Sequence, residues 1–272
     1  MLTAIFDLAM KLSPTARQRL IRFWYQMLSR LDTQGIMPLM NYGYADLDPG
    51  ARPIALRAED EPHRYCIQLY HHVASAADLR GRDVLEVGCG RGGGAAYVAR
   101  HLGPRSLTGL DFSDQAIRFC TARHGAPGVR FVPGDAERLP FEDASFDVAL
   151  NVESSHCYRS MERFAGEAYR VLRPGGWLLH ADHRYRELLA RWREQLTGAG
   201  FRVQVERDIT RNVVRALDLD HERRRDLIDR HAPRLIRERF ARFAGLRGSP
   251  IYEGLRSGRL VYHSFVLTKA PP

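Results

Sequence analysis

An α/β fold, with a mostly parallel sheet and helices on both of its faces, is expected from three observations. From Asp83 onward, short apolar runs alternate with helical stretches of about the length of a crossover. A glycine-rich turn follows the first run, and "RVLRPGG" joins a helix to another apolar run. Strands alternating with helices of this length pair in parallel, and the helices cover the sheet from both sides.

The elements follow in order. The first 35 residues read as two helical pieces broken at "SPT", where Ser13 caps and Pro14 starts the second. "MPLMNYGYADLDPGARP" is punctuated by Pro and Gly and reads as loop. A helix over about 62–77 carries Tyr65, Leu69 and His72 on one side. "DVLEVG" is then a strand, "GGAAYVARHL" a helix, "SLTGLDF" a strand and "SDQAIRFCTARHG" a helix capped by Ser113. "VRFVPGDA" and "FDVALNV" are strands, and "SMERFAGEAYRVLRPGG" is a helix stopped by Pro174, Gly175 and Gly176. "WLLHADH" is a fifth strand, "RELLARWREQLTGAG" a helix, and "FRVQVERDI" and "LVYHSFVLTK" the last two strands. Between those two lies an Arg-rich helical insertion at about 212–245. The expected units are a helical N-terminal extension with a covering loop (1–80), a nucleoside-binding core (81–210), a helical lid (211–250) and the core's last strand (251–272).

Composition narrows the classes. A hydrophobic fraction of 44% and a charged fraction of 27% are those of a soluble globular chain. No apolar run reaches the ~20 residues of a membrane span. Cys66, Cys89, Cys120 and Cys157 form no C-x-x-C pair, so neither a disulfide framework nor a zinc site is expected, and a reducing cytoplasm fits. The formal charge of +9 is nearly all arginine, with Lys11 and Lys269 the only lysines. No aromatic RNA-binding signature accompanies it, so no nucleic-acid partner is expected. A homo-oligomer is compatible with the sequence, and no metal-ligand pattern stands out.

The turn "EVGCGRGGG" satisfies G-x-G-x-x-G through Gly88, Gly90 and Gly93. Glycines there permit a sharp turn and close ligand approach at a helix N-terminus. Asp111 follows at the spacing of a ribose-binding carboxylate, which leaves both NAD and S-adenosylmethionine open. Glu86 disfavours a pyrophosphate beside Gly88, but suits a tail carrying an ammonium and a sulfonium. Asp135 and the backbone of Ala136, in "GDAERLPF", can take an adenine amino group and ring nitrogen.

At these residues the sequence resembles the class I S-adenosylmethionine-dependent methyltransferases. "VLEVGCGRGGG", "LTGLDFS", "GDAERLPF", "SFDVALNVES" and "RVLRPGGWLL" match that family's motifs in order, densely over residues 83–181. "MNYGYAD", "EDEPHRYCIQLYHHVA" and "VESSHCY" further resemble the phthiotriol/phenolphthiotriol dimycocerosate O-methyltransferases and related polyketide-tailoring enzymes. The resemblance implies a Rossmann-like core with an antiparallel last strand and S-adenosyl-L-methionine as cofactor. It also implies cofactor contacts from Cys89, Phe112, Glu137, Asn151 and Glu153, and a loop whose Tyr42 and Tyr44 close over the methionine end.

His156, in "NVESSHCY", lies just past the C-terminal end of the fourth strand, at the sheet edge where ligands bind. An alcohol acceptor benefits from a base, and histidine titrates near cellular pH. The resemblance places an acidic partner at Asp182, which either orients the imidazole, contacts the acceptor, or forms a salt bridge to Arg184 or Arg186. His180 reads as core and His183 as a reserve candidate. In the lid, Leu217, Leu227, Ile228, Leu235, Ile236, Phe240 and Phe243 can line one apolar face. With Phe6, Leu20, Phe23, Trp24 and Leu28 they would roof a hydrophobic acceptor. O-methylation of a hydrophobic polyketide or lipid-like product is the expected reaction. C- or N-methylation, a non-transferring cyclase on the same fold, and an RNA methyltransferase are the alternatives.

Overall fold

A computed structural model of the chain describes residues 37–48 and 50–271. The expected N-terminal helices, with Ser13, Pro14 and the roof residues between Phe6 and Leu28, lie outside the described residues. Among the described residues, no helix is long and apolar enough to cross a membrane.

Seven strands form one sheet: β1 (Asp83–Val87), β2 (Ser106–Asp111), β3 (Val129–Pro133), β4 (Phe146–Val152), β5 (Leu172–Tyr185), β6 (Phe201–Asp208) and β7 (Leu260–Lys269). Their spatial order is β3-β2-β1-β4-β5-β7-β6. All neighbours run parallel except β7, which is antiparallel to both β5 and β6. The order reverses at β1, between β2 and β4, and such a switch point opens a crevice at the carboxyl ends of the strands.

One face of the sheet packs α1 (Arg64–Ala74), α2 (Gly93–His101) and α3 (Asp114–His124), together with α6 (Thr210–Leu219) and α9 (Pro250–Arg256). The other packs α4 (Met161–Val171) and α5 (Leu189–Gly198). Local chemistry explains the boundaries. Ser113 Oγ accepts from the Ala116 N–H at the start of α3, and Ser160 Oγ from the Arg163 N–H at the start of α4. In α4, Met161, Phe164, Ala165, Ala168 and Val171 fall on one buried face at helical spacing.

Two boundaries differ from expectation. The helix at 62–77 is shorter: a 3-10 turn occupies Glu61–His63, and α1 ends at Ala74, where the Ser75 N–H and hydroxyl both bond the His71 carbonyl. The "RPGG" joint is part of β5, which starts at Leu172 and continues to Tyr185. β4 pairs with its start at Phe146↔Leu172, and β7 carries its far end from Trp177↔Thr268 to Tyr185↔Leu260.

The insertion folds as α6, α7 (His221–His231) and α8 (Arg237–Phe243). Its apolar residues do not share one face. Leu217 joins the main core, whereas Ile228 and Phe240 form a separate cluster with Ala232 and Leu246, against which Ile236 and Phe243 pack. Leu227 is half-buried, and the side chain of Leu235 lies outside the described residues. Buried Arg224 of α7 bonds Asp220 Oδ2 at 2.8 Å, the Ala244 carbonyl at 3.0 Å, and the carbonyls of Asn41 and Tyr42 at 3.1 and 3.2 Å. The insertion thereby pins the loop at Asn41 and Tyr42.

Alternation along β1 sets up the site. Val84 faces α1 and α2 while Leu85 and Val87 face α4, so Glu86 must point to the side of Val84. There it meets Tyr70 of α1, whose hydroxyl donates to Glu86 Oε1 at 2.8 Å. Gly94 allows this, because a Cβ at that position would lie 2.0 Å from the Tyr70 ring. Gly94→Ala is therefore expected to destabilise the fold by about 1–3 kcal/mol through overpacking. Urea denaturation of the two proteins measures it, and equal midpoints would show that the ring yields freely.

Candidate active site

At the carboxyl ends of β1, β2 and β4 a cavity is lined by residues 88–91, 110–113, 134–136 and 152–154, with Tyr70, Cys157 and Tyr158. Gly88 and Gly90 have φ of +78° and +54°, the left-handed region that glycine tolerates. A Cβ on Gly88 would sit 2.4 Å from Ser154 Oγ, so the turn and the β4 loop touch there. The Gly88 and Cys89 N–H groups both donate to the Leu110 carbonyl, at 2.8 and 3.0 Å. Asp111 holds the next pair: Oδ2 accepts from the Gly90 N–H at 3.0 Å and Oδ1 from the Ser113 N–H at 2.9 Å.

Glu86 is fully buried beneath this turn. Its Oε1 is bonded to Tyr70, but Oε2 has no hydrogen-bond partner. Burial pushes the carboxyl up to about 7, against the pull of the Tyr70 hydroxyl. An orphaned acceptor beside a glycine cradle suits a cationic group and disfavours a pyrophosphate.

A second arrangement lies on the far side of the β4 loop. Glu153 takes φ of +50°, a left-handed conformation that costs a non-glycine residue about 1–3 kcal/mol. It redirects the chain into the 3-10 turn Ser155–Cys157. Glu153 Oε2 accepts from the Tyr42 N–H and the Tyr262 hydroxyl, each at 2.9 Å. Burial raises this carboxyl to about 8, although the Tyr42 N–H and His156 favour its charge.

Beyond the turn, Asp182 of β5 has no exposed surface. Its Oδ1 lies 2.9 Å from His156 Nδ1 and accepts from the His183 N–H at 2.8 Å. Its Oδ2 accepts from Ser155 Oγ at 2.6 Å and the His156 N–H at 2.9 Å, with Arg184 Nη1 at 3.3 Å. Burial would raise this carboxyl, but His156, Arg184 and the hydrogen bonds together hold it well below its usual range. Asp182 can only accept, so Nδ1 of His156 carries a proton, and in the neutral ring the lone pair lies on Nε2. Burial opposes a charged His156 ring, yet Cys157 and the ionised Asp182 outweigh it and hold the imidazole well above its ordinary value. The His183 ring lies tilted against His156 with centroids 4.5 Å apart, and burial and the His156 charge push it down.

The comparisons with known proteins agree with this geometry. Residues 85–180 match the family model described as a methyltransferase domain. The phthiotriol/phenolphthiotriol dimycocerosates methyltransferase of Mycobacterium tuberculosis is 42% identical over 94% of this chain and 94% of its own. The fatty-acid O-methyltransferase of Mycolicibacterium smegmatis is 39% identical over 96% of this chain and 94% of its own. This chain belongs to the phthiotriol/phenolphthiotriol dimycocerosates methyltransferase family. It is a class I methyltransferase, and S-adenosyl-L-methionine is the methyl donor in the family. Among solved structures, the [4+2]-cyclase SpnF superposes with a TM-score of 0.70 at 22% identity, covering 94% of this chain and 96% of its own. That likeness concerns the fold alone.

The methyltransferase brings Gly88, Cys89, Gly90, Asp111, Phe112, Asp135, Ala136 and Glu153 together around one cavity. Five expected contacts lie outside that lining, and one of them, Glu86, sits beneath the turn. Tyr44 faces a different groove, stacked on His72 at 4.4 Å, because the loop turns at Gly43. Tyr42 is buried beside His183, 5.6 Å between centroids, and it is Pro38, Leu39, Met40 and Asn41 that line the cavity. Glu137 is buried away from the lining, accepting from the Arg159 N–H at 2.7 Å. Asn151 is a buried brace whose amide donates to the Val87 carbonyl at 2.8 Å. Arg186, offered as a partner for Asp182, bonds the Gly258 carbonyl at 2.7 Å instead. His180 is core, as its place in a strand suggested, and burial lowers it to about 4.

Tyr70, Ser154 and Tyr158 escaped the sequence reading. The signal available for Tyr70 was the third glycine of the run, Gly94, which leaves room for a ring. Two measurements test these placements. In an NMR titration the His156 imidazolium of wild type should persist above its usual pKa of about 6.5, and Asp182→Asn should move it down. An unmoved value would deny the pairing. Tyr44→Phe should leave cofactor affinity within about twofold, about 0.4 kcal/mol, by calorimetry, and a larger loss would return Tyr44 to the cofactor.

Proposed function

We propose that this methyltransferase O-methylates a hydroxyl of a lipid-like acceptor, with His156 as general base and Asp182 as the residue that positions it. The observation that carries the proposal is the 2.9 Å contact between Asp182 Oδ1 and His156 Nδ1 at a sheet edge beside the cofactor cavity. It keeps the proton on Nδ1, so the ring, once neutral, offers Nε2 to accept a hydroxyl proton as the oxygen attacks. Proton uptake makes an imidazolium, which the buried Asp182 carboxylate stabilises.

S-adenosyl-L-methionine, when bound, supplies a methyl group already activated on a sulfonium. The protein's task is then to hold the groups in place and to move one proton. Glu86 and Glu153 would face the cationic tail, Asp111 the ribose, and Asp135 with the Ala136 backbone the adenine. The lipid-like acceptor is supported by the relatives named for dimycocerosates and for a fatty acid. The lid cluster around Ile228 and Phe240, against which Met37 packs, offers apolar surface for such a chain.

His156→Ala should lower kcat by roughly 10²–10⁴-fold while leaving S-adenosyl-L-methionine affinity intact. Full turnover in that variant on a hydroxylated lipid would sink the base assignment. Product analysis with a labelled methyl group separates oxygen from carbon or nitrogen acceptors. Cofactor affinity should rise with pH, because carboxyls raised to about 7 at Glu86 and about 8 at Glu153 gain negative charge through that range. Calorimetry across those pH values checks this. Glu86→Gln should remove the lower part of the rise, and an unchanged profile would mean that Glu86 does not meet the cation.

A further inference from the structure

His183 has no role in the chemistry above, yet its place is specific. Its ring is almost wholly buried, and Nδ1 has no hydrogen-bond partner of good geometry. That nitrogen lies 3.3 Å from Asp182 Oδ1, the oxygen that also meets His156 Nδ1 at 2.9 Å. One ligand atom from each of His156, Asp182 and His183 lies within 4.8 Å of the others. Two imidazole nitrogens and one carboxylate oxygen at these spacings make a donor set for a metal ion.

We propose that His156 Nδ1, His183 Nδ1 and Asp182 Oδ1 form a binding site for a divalent transition-metal ion of the zinc and cobalt type. Bond lengths of ~2.0–2.1 Å in a tetrahedral site separate ligand atoms by about 3.3 Å, which is the Asp182–His183 spacing of 3.3 Å and somewhat more than the 2.9 Å between Asp182 and His156. Nitrogen donors select the borderline ions, whereas Mg²⁺ asks for an all-oxygen octahedron. Three protein ligands leave a fourth position on the side where His156 is a quarter exposed, which is also the route of entry. Arg184 occupies the other carboxylate oxygen, Oδ2, and its positive charge moderates the affinity without blocking Oδ1.

The consequence for turnover rests on His156 being the base. An ion on Nδ1 of a neutral imidazole forces the ring proton onto Nε2, so the lone pair that would accept the hydroxyl proton is lost. No bond to substrate is made or broken by the ion. It acts by holding the base in the wrong tautomer.

Titration of untagged, full-length protein with Co²⁺, followed by visible absorption, tests the site. The expected result is a set of d–d bands that saturates at one equivalent, is abolished by Zn²⁺ and survives excess Mg²⁺. His183→Phe should weaken Co²⁺ binding by at least about tenfold. Where that variant fails to fold, judged by its melting transition, His156→Phe removes a ligand from the exposed side and should do the same. Absence of bands in wild type, or bands unchanged in the folded variant, overturns the proposal. Zn²⁺ that binds and inhibits in step with occupancy supports both the site and the base. Zn²⁺ that binds at this site without slowing turnover supports the site and removes His156 as base.

Discussion

The buried carboxylate of Asp182 is the constraint on which the rest of the site depends. A lone charge with no exposed surface would destabilise the fold by several kcal/mol. Here five donors converge on it from two sources: the Ser155 hydroxyl and the His156 backbone and ring from the β4 loop, and the His183 N–H and Arg184 from β5. Satisfying one anion therefore ties the exit of β4 to the end of β5. The Val152↔Ala181 pairing brings those ends level, and the Glu153 N–H donates to the Ala181 carbonyl at 2.8 Å.

Three buried acids meet different fates in this region. Asp182 is crowded with donors and stays ionised. Glu86, fully buried, and Glu153, half-buried, have fewer partners, and burial raises both. The division follows the chemistry. The Asp182 anion faces a histidine ring, whereas burial holds Glu86 and Glu153 up to about 7 and about 8. Glu153 stands at the wall between the compartments, joined to the Tyr42 N–H and the Tyr262 hydroxyl. The loop, the last strand and the cavity thus share one carboxyl.

Much of this was legible in the sequence. Strand and helix alternation, the Ser113 cap and the glycine turn depend on neighbours within a few residues, and such local chemistry survives in one dimension. The cavity residues at Gly88, Asp111, Asp135 and Glu153 sit at strand ends, which topology alone brings to one edge. Tyr44 and Glu137 were harder. Both lie on irregular backbone, where one left-handed residue or one nearby N–H decides the direction of a side chain.

The sequence by itself determined the alternation of strands and helices and the place of His156 past the fourth strand, because apolar periodicity and glycine spacing govern those, and the family resemblance added Asp182. Only the tertiary structure decided that Asp182 bonds both ring and backbone of His156, that Tyr70 reaches Glu86 over Gly94, and that His183 shares the same carboxylate oxygen. Those three contacts join residues 16 and 26 positions apart, or neighbours whose side chains a strand would ordinarily send to opposite faces. Their distances are set by how helices and strands pack, which no local pattern encodes.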